Sequence, residues 1–413
     1  MKMDSPSDTL FAAYKTVRQH TLDLARPLSE EDCCVQSMPD ASPTKWHLAH
    51  TTWFFETFIL ERFEQDFRPC HPAFRVLFNS YYNGVGDKHP RPQRGLLTRP
   101  SLAEVLAYRR NVDERMEMLF TRGTAALDVL LEVGLHHEQQ HQELMLTDLK
   151  HLLSMNPLKP AYVAKALARS KEVASASWCN FDAGIVRIGH AGDGFCFDNE
   201  MPRHHQYLEP FALALRLVTN GEYLEFVEEG GYADAALWLS EGWDWIQVNH
   251  IEQPMYWQHD DSGWQEFTLH GMQPLDANRP AIHLSFFEAD AYARWRGARL
   301  PTEAEWEHAA AGTTDFGTPD LHPSACPVSS DGSVVQFFGA AWQWTLSSYG
   351  PYPGYQAAQG ALGEYNGKFM SNQYVLRGSS CATPAEHARI TYRNFFPSTA
   401  RWQFSGIRLA RSL

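Results

Sequence analysis

The 413-residue chain lacks the features of a disulfide-built, membrane or nucleic-acid-binding protein. Its seven cysteines (Cys33, Cys34, Cys70, Cys179, Cys196, Cys326 and Cys381) are odd in number and contain no Cys-x-x-Cys, which argues against a disulfide scaffold and for a reducing cytoplasm. Met1 to Leu10 lacks a basic stretch followed by an apolar one, so no secretory signal is expected. No apolar run is long enough to span a bilayer. Lys+Arg 35 against Asp+Glu 49 give a net charge of -14 with no local basic patch, so nucleic acid is not an expected partner. There is no short repeat period and no low-complexity tract, which disfavours solenoids and propellers. Histidine, by contrast, is plentiful: 19 residues of the commonest metal ligand.

Glycine is scarce at first and tryptophan later abundant. Of 27 Gly only Gly84, Gly86, Gly95, Gly123 and Gly134 precede residue 176, whereas of 13 Trp only Trp46 and Trp53 do. The step predicts two domains, 1–156 and 178–413, joined by a connector over 157–177. The first reads as four helices, about 7–24, 43–67, 101–121 and 124–155, which make a bundle. The second has short apolar runs broken by Gly, Pro, Asp and Asn, with three capping boxes: Thr219-x-x-Glu222, Ser285-x-x-Glu288 and Thr302-x-x-Glu305. The whole is an α+β multidomain chain.

The histidines that matter lie on helix faces. In Leu135-His136-His137-Glu138-Gln139-Gln140-His141-Gln142-Glu143 the pair His137 and His141 lies one turn apart, on the stripe Leu127, Leu130, Gly134, His137, His141, Leu144 that faces the bundle interior. In the second helix, with Ser42 as expected N-cap and Pro43 as first residue, Trp46, His50, Trp53 and Thr57 share a stripe. His50 therefore points inward, and His47 lies about 60° aside. Three inward imidazoles without a carboxylate suit zinc or non-haem iron. Glu143, off the ligand face, either accepts an imidazole N–H and so orients that ring or faces solvent. The same segment formally matches the zincin pattern His137-Glu138-x-x-His141, but Leu144 and Thr147 stand where a metzincin needs Gly and His, and a third Glu ligand about twenty residues on would fall near Tyr162, where no Glu occurs until Glu172. A zinc hydrolase therefore lacks its third ligand.

These residues resemble the ergothioneine-biosynthesis sulfoxide synthases, the EgtB family, along nearly the whole chain. The family's His-x-x-x-His-x-Glu is His137-x-x-x-His141-x-Glu143, and its Trp-x-x-x-His segment is Trp46-His47-Leu48-Ala49-His50. The second half matches in Gly297-Ala298-Arg299-Leu300-Pro301-Thr302-Glu303-Ala304-Glu305-Trp306-Glu307, Trp342-Gln343-Trp344-Thr345, Val375-Leu376-Arg377-Gly378-Ser379-Ser380 and Gln403-Phe404-Ser405-Gly406-Ile407-Arg408-Leu409-Ala410. The resemblance implies a DinB-like four-helix bundle followed by a C-type-lectin-like domain of the formylglycine-generating-enzyme type. It implies iron(II) on His50, His137 and His141, O2 as co-substrate, and joining of a thiol to C2 of the imidazole of hercynine (N-α-trimethylhistidine) to give a sulfoxide.

It also implies roles for other residues. Leu77-Phe78-Asn79-Ser80-Tyr81-Tyr82-Asn83-Gly84-Val85-Gly86 looks like the loop that supplies active-site tyrosines in the cysteine-using subfamily, which makes Tyr81 and Tyr82 the proton donors to consider. Arg91, then Arg94, would hold a substrate carboxylate. Gln140 would reach the hercynine imidazole, and Asn394 with Phe395 the trimethylammonium group, through cation–π attraction. Some synthases carry an acidic residue after that pair, contacting a γ-glutamyl-cysteine donor; Phe396 here argues for cysteine itself. The family's Gly-Asn/Asp-Val-Trp-Glu-Trp-Thr is altered to Gly339-Ala340-Ala341-Trp342-Gln343-Trp344-Thr345, which puts a structural ion there in doubt. Alternatives on the same scaffold are a selenoneine synthase taking a selenosugar and an ovothiol-type synthase. A non-catalytic lectin-like binding module is a rival of another class, and a formylglycine-generating function would need a close cysteine pair. Whether the protein is a homo-oligomer is left open.

Overall fold

The computed structural model describes residues 6–120, 125–170, 173, 175–192, 194–317, 320–326, 333–359 and 361–413. The chain divides into two units, Met1–Leu158 with Gln359–Tyr365, and Lys159–Ala358 with Asn366–Leu413. The return of Gln359–Tyr365 to the first unit has no counterpart in the sequence reading, which left those residues in the second domain.

The first unit is built on four long helices: α1 (Pro6–Ala25), α2 (Thr44–Phe55), α3 (Leu102–Phe120) and α4 (Ala125–Met155). The expected helix ends at Thr121 and Thr124 lie outside the described residues. α2 packs against both α3 and α4, and α1 packs along α4. Every residue of α2 is buried, as suits a helix whose one charged side chain is Lys45. Its ammonium is satisfied by the Leu97 carbonyl at 2.8 Å.

Both ends of α2 differ from expectation. Pro43, not Ser42, is the N-cap, and no side chain caps the helix. Ser42 is used elsewhere: its hydroxyl accepts from Arg94 at 2.8 Å and its backbone N–H donates to Asp148 at 2.8 Å. At the other end the helix stops at Phe55 rather than near residue 67, passing into a π turn, Glu56–Leu60, and a short turn, Glu61–Phe63. The buried Glu56 carboxylate there accepts the Tyr108 hydroxyl at 2.6 Å and the Cys70 N–H at 2.7 Å. A widened turn is a common way to re-aim a helix where such a group must be accommodated.

The second unit holds many short elements. Its strands are β1 (Trp178–Phe181), β2 (Gly184–Ile188), β3 (His204–Leu208), β4 (Phe211–Ala214), β5 (Trp257–Asp260), β6 (Gly263–Thr268), β7 (Gly271–Pro274), β8 (Trp342–Ser348), β9 (Tyr374–Arg377), β10 (Asn394–Phe396), β11 (Ser405–Gly406) and β12 (Ala410–Ser412). Among the described residues they form four small sheets, ordered β1-β4-β12, β10-β9-β8-β11, β2-β3 and β5-β6-β7. All pairs are antiparallel except β11 with β8. Among its helices are α5 (Asn220–Glu228), α6 (Ser240–Asn249), α7 (Phe286–Trp295) and α8 (Glu303–Ala309). The three capping boxes are present at α5, α7 and α8, each Ser or Thr hydroxyl accepting the N–H of the Glu three residues on and that Glu accepting the cap's own N–H.

With so little regular sheet, aromatic side chains and buried polar groups hold this unit. Trp306 and Phe337 pack edge to face in a core with Ile188, Phe211 and Leu213. Gln343, which stands where the family pattern has Glu, is fully buried. Its carbonyl oxygen accepts from Trp306 Nε1 and Arg408 Nε, each at 2.7 Å, and its amide donates to the Phe337 carbonyl at 2.9 Å. A carboxylate could not make that last bond. Among the described residues, no helix is long and apolar enough to cross a membrane.

Candidate metal centre

His50 on α2 and His137 and His141 on α4 each present a ligand nitrogen, all within 4.8 Å of one another. All three rings are buried. Burial lowers the pKa of each, to about 3 for His137 and well below the ordinary value for His50 and His141. The rings are therefore neutral at pH 7 and keep a lone pair for a cation.

His50 is the most constrained. Its ring is stacked between two indoles, Trp46 at 4.5 Å and Trp53 at 5.5 Å between centroids. Its Nδ1 lies 2.6 Å from the Phe78 carbonyl. A carbonyl only accepts, so the proton sits on Nδ1 and Nε2 bears the lone pair. That Nε2 lies 3.1 Å from Nε2 of His137. His137 stacks on Phe54 at 4.6 Å, and among the described residues its buried Nδ1 has no hydrogen-bond partner. Three neutral, buried imidazoles whose ring nitrogens converge fit a divalent metal that accepts nitrogen ligands.

Close approach of the helices makes this possible. A Cβ on Gly134 would lie 2.6 Å from Cε1 of Phe55 and 3.2 Å from a Phe54 ring carbon. Gly134→Ala must push α4 away from α2 just one turn before His137. We expect overpacking of about 1–3 kcal/mol to outweigh the roughly 1 kcal/mol gain in helix propensity. Thermal melting and metal titration of that variant would show a lower midpoint together with weaker binding.

Glu138, the general base of the zincin pattern, is turned elsewhere. Its carboxylate is fully buried and takes hydrogen bonds from Arg18 at 3.0 Å, Thr21 at 2.6 Å and Arg109. These partners come from α1 and α3, not from the α2 side where the triad lies. Burial by itself would raise its pKa, but Arg109 and Arg18 hold it down at about 2. It is a structural anchor turned to α1 and α3, so it is not placed to act as the general base of the zincin pattern.

Tyr81 and Tyr82 follow Phe78 in the loop that braces His50. The buried Asn79 side chain donates to the carbonyls of Tyr82, Gly86 and Asp87 and accepts the Tyr82 N–H at 3.0 Å, fixing the loop. The two phenol oxygens are 3.5 Å apart and the rings are stacked at 4.6 Å. Burial raises both pKa values, so both phenols keep their protons at neutral pH.

The remaining expected residues are placed as follows. Arg91 is exposed and its guanidinium donates to the Asp40 carbonyl. Arg94 is buried, donates to Ser42 and Ser80, and lies 3.4 Å above the Trp46 ring. Burial, and then Arg91, lower its pKa to about 9. Gln140 is half-buried and accepts the Tyr365 hydroxyl. In the second unit Asn394 opens β10 and accepts the Phe395 N–H at 2.9 Å, while the Phe395 ring stacks on Tyr349 at 4.0 Å.

Several neighbours were not read from the sequence. Tyr365 lies 5.8 Å from His137 and 6.3 Å from Tyr81 between ring centroids. Glu364 accepts the backbone N–H groups of Asn83 and Gly84 at 2.9 and 2.6 Å. His47, set aside as off the stripe, contacts His141, and Asp148 contacts His47. Phe78 and His47 thus occupy the positions behind His50 and His141 that were considered for Glu143.

Residues 13–145 match the DinB superfamily, and residues 165–322 and 318–413 match the sulfatase-modifying factor enzyme 1-like domain. The chain is 30% identical over 437 aligned positions to a hercynine oxygenase of Mycobacterium tuberculosis, covering 99% of each chain. It is 29% identical to a hercynine oxygenase of Mycolicibacterium thermoresistibile, over 90% of this chain and 88% of that one. Ergothioneine biosynthesis protein 1 of Schizosaccharomyces pombe is 26% identical over 53% of this chain and 28% of its own. A DinB-like bundle bearing a buried histidine triad, followed by a sulfatase-modifying-factor-like unit and aligned end to end with such relatives, places the chain in the hercynine oxygenase family of enzymes.

Proposed function

We propose that this enzyme is a non-haem iron(II), O2-dependent sulfoxide synthase that joins L-cysteine to C2 of the hercynine imidazole in ergothioneine biosynthesis. One observation carries the reading: a buried triad of neutral imidazoles on a chain that aligns along its full length with hercynine oxygenases. Iron(II) held by His50, His137 and His141 would supply the redox chemistry that couples O2 reduction to oxidation of the thiol and the imidazole. Overall, the thiol loses its S–H proton, imidazole C2 loses its hydrogen, one oxygen atom ends on sulfur and the other leaves as water. The seven cysteines remain thiols, which accords with a reducing, cytoplasmic setting.

The chain's own residues orient the substrates and manage the protons. Tyr81 and Tyr82 hold neutral phenols able to give a proton. Arg94, a buried guanidinium bonded to two hydroxyls, is the stronger choice for a substrate carboxylate, ahead of the exposed Arg91. Gln140 addresses the hercynine imidazole, with Tyr365 orienting its amide. Phe396 offers no charge to a γ-glutamyl group, which favours cysteine as donor.

Replacing both tyrosines, Tyr81→Phe with Tyr82→Phe, should lower sulfoxide formation about 10²–10⁴-fold, the usual share of a positioned proton donor. Metal content should not change. The substrate assignment is tested by giving the iron(II) protein hercynine with cysteine, γ-glutamyl-cysteine or a selenosugar and reading products by mass. Hercynylcysteine sulfoxide as the main product supports the reading. A selenium adduct, or a product substituted at another imidazole carbon, would replace it with one of the sister activities.

A further inference from the structure

We infer that His47 and Asp148 form a positioning relay behind His141, which fixes the nitrogen that His141 turns toward the metal. His47 Nδ1 lies 2.8 Å from His141 Nδ1, and His47 Nε2 lies 3.0 Å from Asp148 Oδ2. The same carboxylate oxygen accepts the Ser42 backbone N–H at 2.8 Å. All three side chains are buried. Asp148 Oδ2 already accepts the Ser42 N–H, so it is the acceptor for an Nε2–H of His47 as well, and Nδ1 of His47 is left to accept. A hydrogen bond between the two Nδ1 atoms then requires the proton on His141. Nε2 of His141 is left as the lone pair for the metal, just as the Phe78 carbonyl leaves Nε2 of His50.

The relay is built from the two helices that carry the ligands. His47 precedes His50 by three residues on α2, and Asp148 follows His141 by seven, two turns, on α4. The bonds therefore tie α2 to α4 in the layer beside the ligands. Metal-bound imidazoles usually take an outer acceptor that sets their tautomer and raises their basicity. Here that acceptor is a second imidazole backed by a carboxylate, which links a negative charge to a donor set that contains none. His47 and Asp148 would act through His141 and are positioning residues.

The inference rests on the triad being the metal site, and the test separates the two. Cobalt(II), whose visible spectrum reports its ligands, is titrated into wild-type, His47→Phe and His47→Gln protein, and melting without metal is followed by circular dichroism. Phe removes both hydrogen bonds, whereas Gln offers an N–H to Asp148 and a carbonyl to His141. We expect His47→Phe to bind cobalt about 10–100-fold more weakly with a shifted spectrum, and His47→Gln to stay within about 3-fold of wild type. Metal-free melting of His47→Phe should fall, because the buried Asp148 carboxylate loses a hydrogen bond, so affinity and spectrum are read on the folded protein below its melting midpoint. Unchanged affinity and spectrum in His47→Phe would overturn the relay, as would an equal loss in both variants. Should His47→Phe not fold, Asp148→Asn decides: it keeps the shape but removes the charge, and wild-type affinity in it overturns the relay. Wild-type protein that takes up no cobalt overturns the metal-site reading, and the relay with it.

Discussion

His137→Ala protein, reconstituted with iron(II) without oxygen, should retain the fold but lose metal affinity by more than about 100-fold, beyond the 10–100-fold typical of an outer-shell change. Sulfoxide formation should fall with it. His137 Nε2 lies 3.1 Å from Nε2 of His50, so its removal opens the triad at its tightest contact. Among the described residues its Nδ1 has no hydrogen-bond partner, and the Phe54 ring stacks on it. Its loss should therefore cost packing but leave no buried charge. Iron content by emission spectroscopy and unfolding by circular dichroism would read the two effects separately.

The adjacent residue should behave in the opposite way. Glu138→Ala is expected to destabilise the helical unit by about 3–5 kcal/mol, because it leaves Arg18 and Arg109 buried without their shared carboxylate. If Glu138 were the general base of a zincin, Glu138→Gln would abolish turnover and leave stability intact. Here Glu138→Gln should lower the unfolding midpoint while the folded fraction still binds metal. The acid limit follows from the same group. Its folded pKa of about 2 lies below the ordinary 4.5, so its contribution is fully present above 4.5 and is lost as pH falls through about 2. Glu138→Gln should flatten that part of the pH–stability profile. A denaturant titration across that range checks it.

Much of the site was legible because helical periodicity is local information. The stripes Trp46-His50-Trp53 and Gly134-His137-His141 fall where the geometry places them, with His50 stacked between its two indoles. The three capping boxes were legible for the same reason, since each is written within four residues. His47 was missed because reading one stripe assumes that the rest of the helix faces water. α2 is buried on every side, and the absence of a charged residue from Trp46 to Phe55 was the available signal. Tyr365 and Glu364 had none: they meet Gln140, Asn83 and Gly84 across most of the chain, in a segment with no periodic pattern. The π turn after Phe55 was hidden likewise, because it answers to Tyr108 and Cys70, partners distant in sequence.

The central claim, that the triad holds the iron which joins a thiol to hercynine, is tested most directly by oxygen uptake of the iron(II) protein. Uptake should require hercynine and cysteine together, yield one sulfoxide per O2 consumed, and vanish in His137→Ala. Oxygen uptake that yields no sulfoxide, or that persists unchanged in His137→Ala, would contradict it.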